Sequence, residues 1–229
     1  MLQQTQAPRV IEKYNAFIKR FPSFDALSRA RFSSVLKAWV GLGYNRRAKY
    51  VWEGARRIVR EYGGVLPKDP EVLVTFPGVG PATAASMSAF AYNAPTVFIE
   101  TNIRSVFIHF FFRDDKTVSD EMIRPLVEKA LYADDPRIWY FALMDYGVML
   151  KKERGNPSRK STHYTKQSPF KGSRREARGK IVRALLERPF TLREISQLIE
   201  RDMNETKAIL ERLLEEHMIQ KQKNRYTHI

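Results

Sequence analysis

The sequence predicts an all-α core followed by a small α+β unit of winged helix-turn-helix type. Three observations carry this. Apolar residues recur at helical spacing to about residue 150, and glycine and proline punctuate the stretches between them. A basic, apolar-poor stretch at 151–174 then precedes a region with its own capping signals. The expected organisation is a core over 1–150, a basic linker or arm over 151–174, and a winged unit over 175–229.

The elements follow in order. Val10, Ile11, Tyr14, Phe17 and Ile18 mark a helix over 8–20, broken by Phe21-Pro22-Ser23. Residues 25–40 hold a short helix and then another ending in Trp39, and Gly41-Leu42-Gly43-Tyr44 is a tight turn. A basic amphipathic helix over 46–62 closes at Gly63-Gly64. Short helices at 70–75 and 81–91 flank Pro77-Gly78-Val79-Gly80. Thr96–Ile99 is β-branched, yet partner strands are lacking, so it is expected as a loop entering a helix at 102–112. Helices at 119–132 and 137–150 complete the core. In the C-terminal region Ile181, Leu185 and Leu186 share a helical face that Pro189 stops. Thr191 and Glu194 form a capping box, and Asn204-Glu205 opens a third helix. Residues 219–229 read as a β-wing.

Composition narrows the chemistry. The 229 residues carry a formal net charge of +15, an excess that points to a polyanionic partner such as nucleic acid. No apolar run approaches the ~20 residues that span a bilayer, and the polar N-terminus lacks a signal-peptide core. There is no cysteine, hence no disulfide framework, thiol nucleophile or thiolate metal site within these residues. A cytoplasmic protein is expected, with no metal and no membrane partner.

The strongest local signal is Phe76-Pro77-Gly78-Val79-Gly80-Pro81-Ala82-Thr83-Ala84. Glycines at the start of a helix leave backbone amides unhindered where the dipole attracts an anion, and a DNA phosphate suits that place. An ordinary glycine turn between packed helices fits the same residues.

The hairpin has company. Leu2–Gln6 (LQQTQ), Gly41–Tyr44 (GLGY), Phe76–Gly80 (FPGVG), Phe98–Val106 (FIETNIRSV) and Met144–Gly147 (MDYG) stand in an order that resembles the adenine DNA glycosylases of the helix–hairpin–helix superfamily. The resemblance covers residues 1 to about 150. It implies a base-excision repair N-glycosylase that removes adenine mispaired with guanine or 8-oxoguanine in double-stranded DNA, working near the nucleoid as a monomer. By position, Gln4 would enter the base stack, Thr5 would touch the estranged base and Tyr44 would wedge beside it. Gly78, Val79 and Gly80 would hold a phosphate. Glu100 falls where the family has an aspartate that steadies positive charge on the sugar, with Tyr92 and Asn102 around it.

Four departures matter. The family's acid is a glutamate just ahead of the Leu2–Gln6 run, which places it upstream of Met1. The chain as it stands is therefore expected to excise poorly, and a start set too late is favoured over an inactive protein. Glu100 is one methylene longer than aspartate, a displacement that can cost on the order of 100-fold. Ala82 stands where bifunctional relatives carry a Schiff-base lysine, so monofunctional chemistry is expected. After Met144–Gly147 the family's four cluster cysteines are missing, so no Cys-ligated iron–sulfur cofactor is expected. Other readings remain: a catalytically impaired DNA-binding relic, a glycosylase for uracil or thymine, and a transcription regulator read through the winged unit.

Overall fold

The computed structural model describes Met1, Leu2, Thr5 and residues 7–229. In chain order the helices are α1 (Ala7–Arg20), α2 (Phe24–Arg29), α3 (Phe32–Trp39), α4 (Arg46–Tyr62), α5 (Pro70–Leu73), α6 (Pro81–Tyr92), α7 (Thr101–Phe111), α8 (Asp120–Ala130) and α9 (Pro136–Arg154). A 3-10 turn at Pro157–Lys160 follows, then α10 (Arg174–Leu185), α11 (Leu192–Ile199), α12 (Met203–Glu215), β1 (Ile219–Gln222) and β2 (Arg225–His228). The mostly helical architecture with a two-stranded C-terminal wing is the predicted fold class. Among the described residues no helix is long and apolar enough to cross a membrane.

Contacts gather the chain into two compact units, residues 1–66 with 168–229, and residues 67–167. These units cut the chain elsewhere than at the 150 and 174 boundaries read from sequence.

In the first unit the buried cluster runs through both chain segments, from Val35, Leu36 and Trp39 to Ile181, Leu210 and Met218. On α1 only Val10 and Phe17, seven residues apart, are buried, whereas Ile11, Tyr14 and Ile18 are exposed. The predicted apolar face of α1 is thus two adjacent stripes, one of which packs. Phe17 meets the Phe21 ring at 4.9 Å and Trp39 edge-on at 6.1 Å. Gly63 ends α4 in the left-handed region, φ +59. The Thr191–Glu194 capping box on α11 is present, but α12 starts at Met203 with Asp202 as its cap, one residue ahead of the expected Asn204. The wing pairs Ile219 with His228 through Gln222 with Arg225, antiparallel. Glu216 ties the two segments, accepting from Arg46 and Arg178 while its carbonyl accepts from Lys49 Nζ at 2.7 Å.

The second unit packs α6 to α9 around Phe98, Ile103, Phe107, Ile123, Val127 and Tyr140. Residues 96–99 form a loop, as expected, and a side chain fixes each turn of it. Tyr140 Oη donates to Thr96 O at 2.8 Å and accepts from Phe98 N at 3.3 Å, while its ring stacks on Phe98 at 4.0 Å. Burial raises the Tyr140 phenol pKa, against a smaller lowering by the Phe98 amide, so the phenol stays a donor. Thr96 Oγ1 donates to Ala85 O at 2.7 Å. Helix α9 continues to Arg154, so the first four residues of the expected arm are helical. The next residues are also held. Val118 N donates to Lys160 O at 2.9 Å, Thr162 N donates to Val118 O at 3.0 Å, and Ser158 and Ser161 are buried.

Candidate nucleic-acid interface and candidate active site

The first unit carries the turn at Gly41–Tyr44. Gly41 and Gly43 adopt φ of +99 and +73, and Tyr44 follows at +47, a left-handed conformation unfavourable for a residue with a Cβ. Side chains hold every carbonyl before it. Arg9 Nη2 donates to Gly41 O at 2.8 Å, Thr5 Oγ1 to Leu42 O at 3.1 Å, and Trp39 Nε1 to Gly43 O at 3.1 Å. Arg47 joins these pieces, donating to Thr5 Oγ1 and Met1 O, both at 3.1 Å, and to Leu42 O at 3.4 Å. Its guanidinium lies 5.5 Å from the ring centres of both Trp39 and Tyr44. Burial lowers the Arg47 pKa, with a smaller opposing pull from Tyr44. Tyr44 stays exposed, and its Oη accepts from Arg175 Nη1 of α10 at 3.0 Å. Thr5 and Tyr44 are therefore brought to one turn. Gln4 lies outside the described residues.

The second unit carries the hairpin. Val79 N donates to Phe76 O at 3.1 Å, which closes the turn, and Gly78 sits at φ +71 where glycine is required. The Val79 amide is thus bonded inside the turn. The Gly78 and Gly80 amides have no acceptor among the described residues. Gly80 caps α6 in extended conformation, and both glycines are exposed. They present donors at a helix N-terminus. A shallow pocket lies against the start of α6, lined by Pro81, Ala82, Val97, Phe98, Ile99, Asp120 and Arg124. The loop that forms one wall leads directly into Glu100.

Glu100 caps α7. Its Oε1 accepts from Asn102 N at 2.6 Å and Ile103 N at 2.9 Å, and its Oε2 faces Asn102 Nδ2 at 3.4 Å. Asn102 Oδ1 in turn accepts from Lys151 Nζ of α9 at 2.7 Å. The structure therefore brings together Glu100, Asn102 and Lys151, all half-buried. Tyr92, half-buried at the end of α6, is not part of these bonds. Beside the trio, Arg104 makes a two-pronged bond to Asp120, both contacts 2.7 Å, fastening α7 to the start of α8.

Sequence reasoning missed Lys151, which it placed in the arm, and it missed Arg47 and Tyr140. A signal for Lys151 was present in Gly147, a glycine inside a helix one turn ahead of it.

The resemblance implies a cluster held by cysteines just after α9. The side chains there are lysine, arginine, serine, threonine, asparagine, tyrosine and a single histidine, His163, with no thiol, and do not fit a cluster held by four cysteines. Instead Lys160 Nζ donates to Phe112 O and Arg113 O at the end of α7, and Asn156 Oδ1 accepts from Ser158 N at 3.1 Å.

A glycine hairpin opening one helix, with a carboxylate capping the next, is the arrangement expected of the helix–hairpin–helix class. Known proteins agree. The model of the HhH-GPD superfamily base excision DNA repair proteins matches residues 1–131, and the chain belongs to that family. It is 32% identical over 155 residues to the adenine DNA glycosylase of Buchnera aphidicola subsp. Baizongia pistaciae, covering 66% of this chain and 43% of that protein. It is 44% identical over 106 residues to the Mycobacterium tuberculosis adenine DNA glycosylase, covering 46% of this chain and 35% of the relative. The human adenine DNA glycosylase matches at 37% over 107 residues, 46% of this chain and 20% of the human one. The chain thus spans less than half the length of these curated relatives. In fold it is similar to a thermostable thymine-DNA glycosylase, with a TM-score of 0.58 at 23% identity over 69% of this chain and 75% of that one. A trapped endonuclease III–DNA covalent intermediate gives 0.55 at 18% over 73% and 72%.

Proposed function

We propose that this chain is a monofunctional DNA N-glycosylase that binds double-stranded DNA and removes adenine mispaired with guanine or 8-oxoguanine, acting as a monomer without a Cys-ligated cofactor. The observation that carries this reading is Glu100, a carboxylate fixed by two backbone amides at the start of α7. Cleaving the bond between adenine and deoxyribose builds positive charge on the sugar. Adenine leaves with a proton on a ring nitrogen, and a water molecule supplies the hydroxyl that C1′ gains and, in net, that proton. A preorganised carboxylate stabilises that charge without having to reorganise during the reaction. Oε1 is engaged by two helix amides and Oε2 only by the longer bond from Asn102 Nδ2, so Oε2 is the oxygen that would face the sugar. The Gly78 and Gly80 amides would grip the backbone, whatever the sequence. Thr5 and Tyr44 would meet the estranged base. Ala82 offers no amine at the start of α6, so the abasic strand would leave intact.

The test is a single-turnover assay with excess protein on labelled duplexes holding adenine opposite guanine or 8-oxoguanine, developed with and without alkali. Excision is expected to be slow, its product to appear only after alkali, and Glu100→Gln to lower the rate a further ~10²–10³-fold, the span for removing a preorganised electrostatic contact. Release of uracil or thymine in preference to adenine would overturn the substrate. Tight mismatch binding without excision of any base would leave a DNA-binding protein. Strand scission without alkali would end the monofunctional reading.

A further inference from the structure

Lys151 is half-buried beside the carboxylate of the candidate site, and the proposed chemistry has not used it. A lysine ammonium offers donors and no acceptor. The bond from Lys151 Nζ to Asn102, 2.7 Å long, therefore dictates which end of the Asn102 amide it meets. Oδ1 must face the lysine, and Nδ2 is turned to Glu100 Oε2 at 3.4 Å. With Oε1 held by the Asn102 and Ile103 amides, the carboxylate is then gripped at both oxygens.

Gly147 explains how the lysine arrives there. A Cβ at this position would lie 2.6 Å from Asn102 O and 2.7 Å from Asn102 Cβ. Helix α9 thus touches the backbone of α7 at Gly147 itself. Lys151 is one turn further along the same face of α9, which sets its side chain over the Asn102 amide.

We propose that Lys151 is a positioning residue for Glu100, acting through Asn102 to aim Oε2 at the sugar. The inference rests on the glycosylase reading above. The electrostatics agree with the geometry. Burial lowers the Lys151 pKa, the Glu100 charge raises it, and Arg104 lowers it, so the amine senses the carboxylate. The Arg104 charge is itself turned to Asp120, leaving Lys151 as the cation bonded to the amide.

Two measurements on the full chain test this. In single-turnover excision, Lys151→Met should slow adenine release roughly 10–100-fold, the scale of an ångström-sized misplacement, with duplex affinity unchanged. Lys151→Arg, which keeps the donor, should restore most of the rate. Asn102→Leu should cost as much as Lys151→Met, and the double variant no more, because both cut one relay. The second measurement does not need excision. NMR of labelled lysine, with the Lys151 signal assigned by its loss in Lys151→Arg, follows the amine titration. Glu100→Gln should move that midpoint to lower pH. An unmoved midpoint, or a Lys151→Met enzyme as fast as the unaltered one, overturns the proposal. A moved midpoint with no excision by the unaltered chain overturns the activity and upholds the Lys151–Asn102–Glu100 arrangement.

Discussion

Arg47 is the residue on which the Tyr44 turn depends most. It bonds to Thr5 and to carbonyls at Met1, Leu42 and Gly43, and it lies against the Trp39 and Tyr44 rings. Tyr44 at φ +47 persists because its surroundings over-determine it, and Arg47 is a large share of those surroundings. Arg47→Met keeps the apolar stem and removes the fork. It should cost about 1–3 kcal/mol, because several carbonyls lose their donor together, and should weaken lesion preference more than general duplex binding. Chemical unfolding and competition between mismatched and matched duplexes check this, and an equal loss on both duplexes would sink it. Sequence made Thr5 and Tyr44 legible through motif order alone. Arg47 was invisible because a basic helix reads as a solvated face until one of its arginines is seen to turn inward. Lys151 hid the same way within a basic stretch, where composition outweighed its one-turn spacing from Gly147.

At the scale of elements, the hairpin separates two jobs that its sequence presents as one. Gly78 is required by conformation, φ +71, whereas Gly80 is extended and a Cβ there meets nothing within 4 Å. Gly78→Ala should therefore destabilise the second unit by about 1 kcal/mol from the left-handed strain alone. Gly80→Val should cost about 0.5–1 kcal/mol, since valine caps a helix less well than glycine, and should reduce duplex affinity beyond that loss, since its branches crowd the amides that would meet a phosphate. Paired melting curves and binding isotherms test both. A Gly80→Val protein that binds as tightly as the unaltered one would remove this helix start from the interface. Helix positions were legible because apolar period and punctuation agree along the core, and the α11 capping box was readable from Thr191 and Glu194. The exceptions have local causes. Asp202 outcompetes Asn204 as the α12 cap by bonding two amides, Asn204 N and Glu205 N. Helix α9 runs on to Arg154 because lysine and arginine suit a helix C-terminus, so charge marked its end and not a linker.

At the scale of the whole molecule, packing joins residues 1–66 to 168–229, and no local pattern announces this. A sequence can show that two segments each have an apolar face but not that the faces share one core, because the contacts are remote in the chain. Glu216 is the polar counterpart of that shared core. It lies at the end of α12, its side chain 14% exposed, and two arginines from different segments converge on it. Burial raises its pKa, but the bonds from Arg46 and Arg178 outweigh burial, and the carboxyl ends below the ordinary glutamate value near 4.5. A carboxyl depressed in the folded state contributes stability that is fully present above the unfolded pKa and is lost as pH falls towards the folded one. Glu216→Gln should therefore cost about 1–3 kcal/mol at pH 7, less than a fully buried pair because Arg46 is half exposed. The deficit should shrink as pH drops below about 4.5, since the unaltered carboxyl becomes protonated too. Urea unfolding of both proteins at pH 7 and at pH 3.5, each pH held constant, measures it. The loss belongs to the first unit, so a probe there, such as Trp39 fluorescence, should report it. A deficit of the same size at both pH values would mean that Glu216 acts through shape and not through charge, and the ionic tie between the two segments would be refuted.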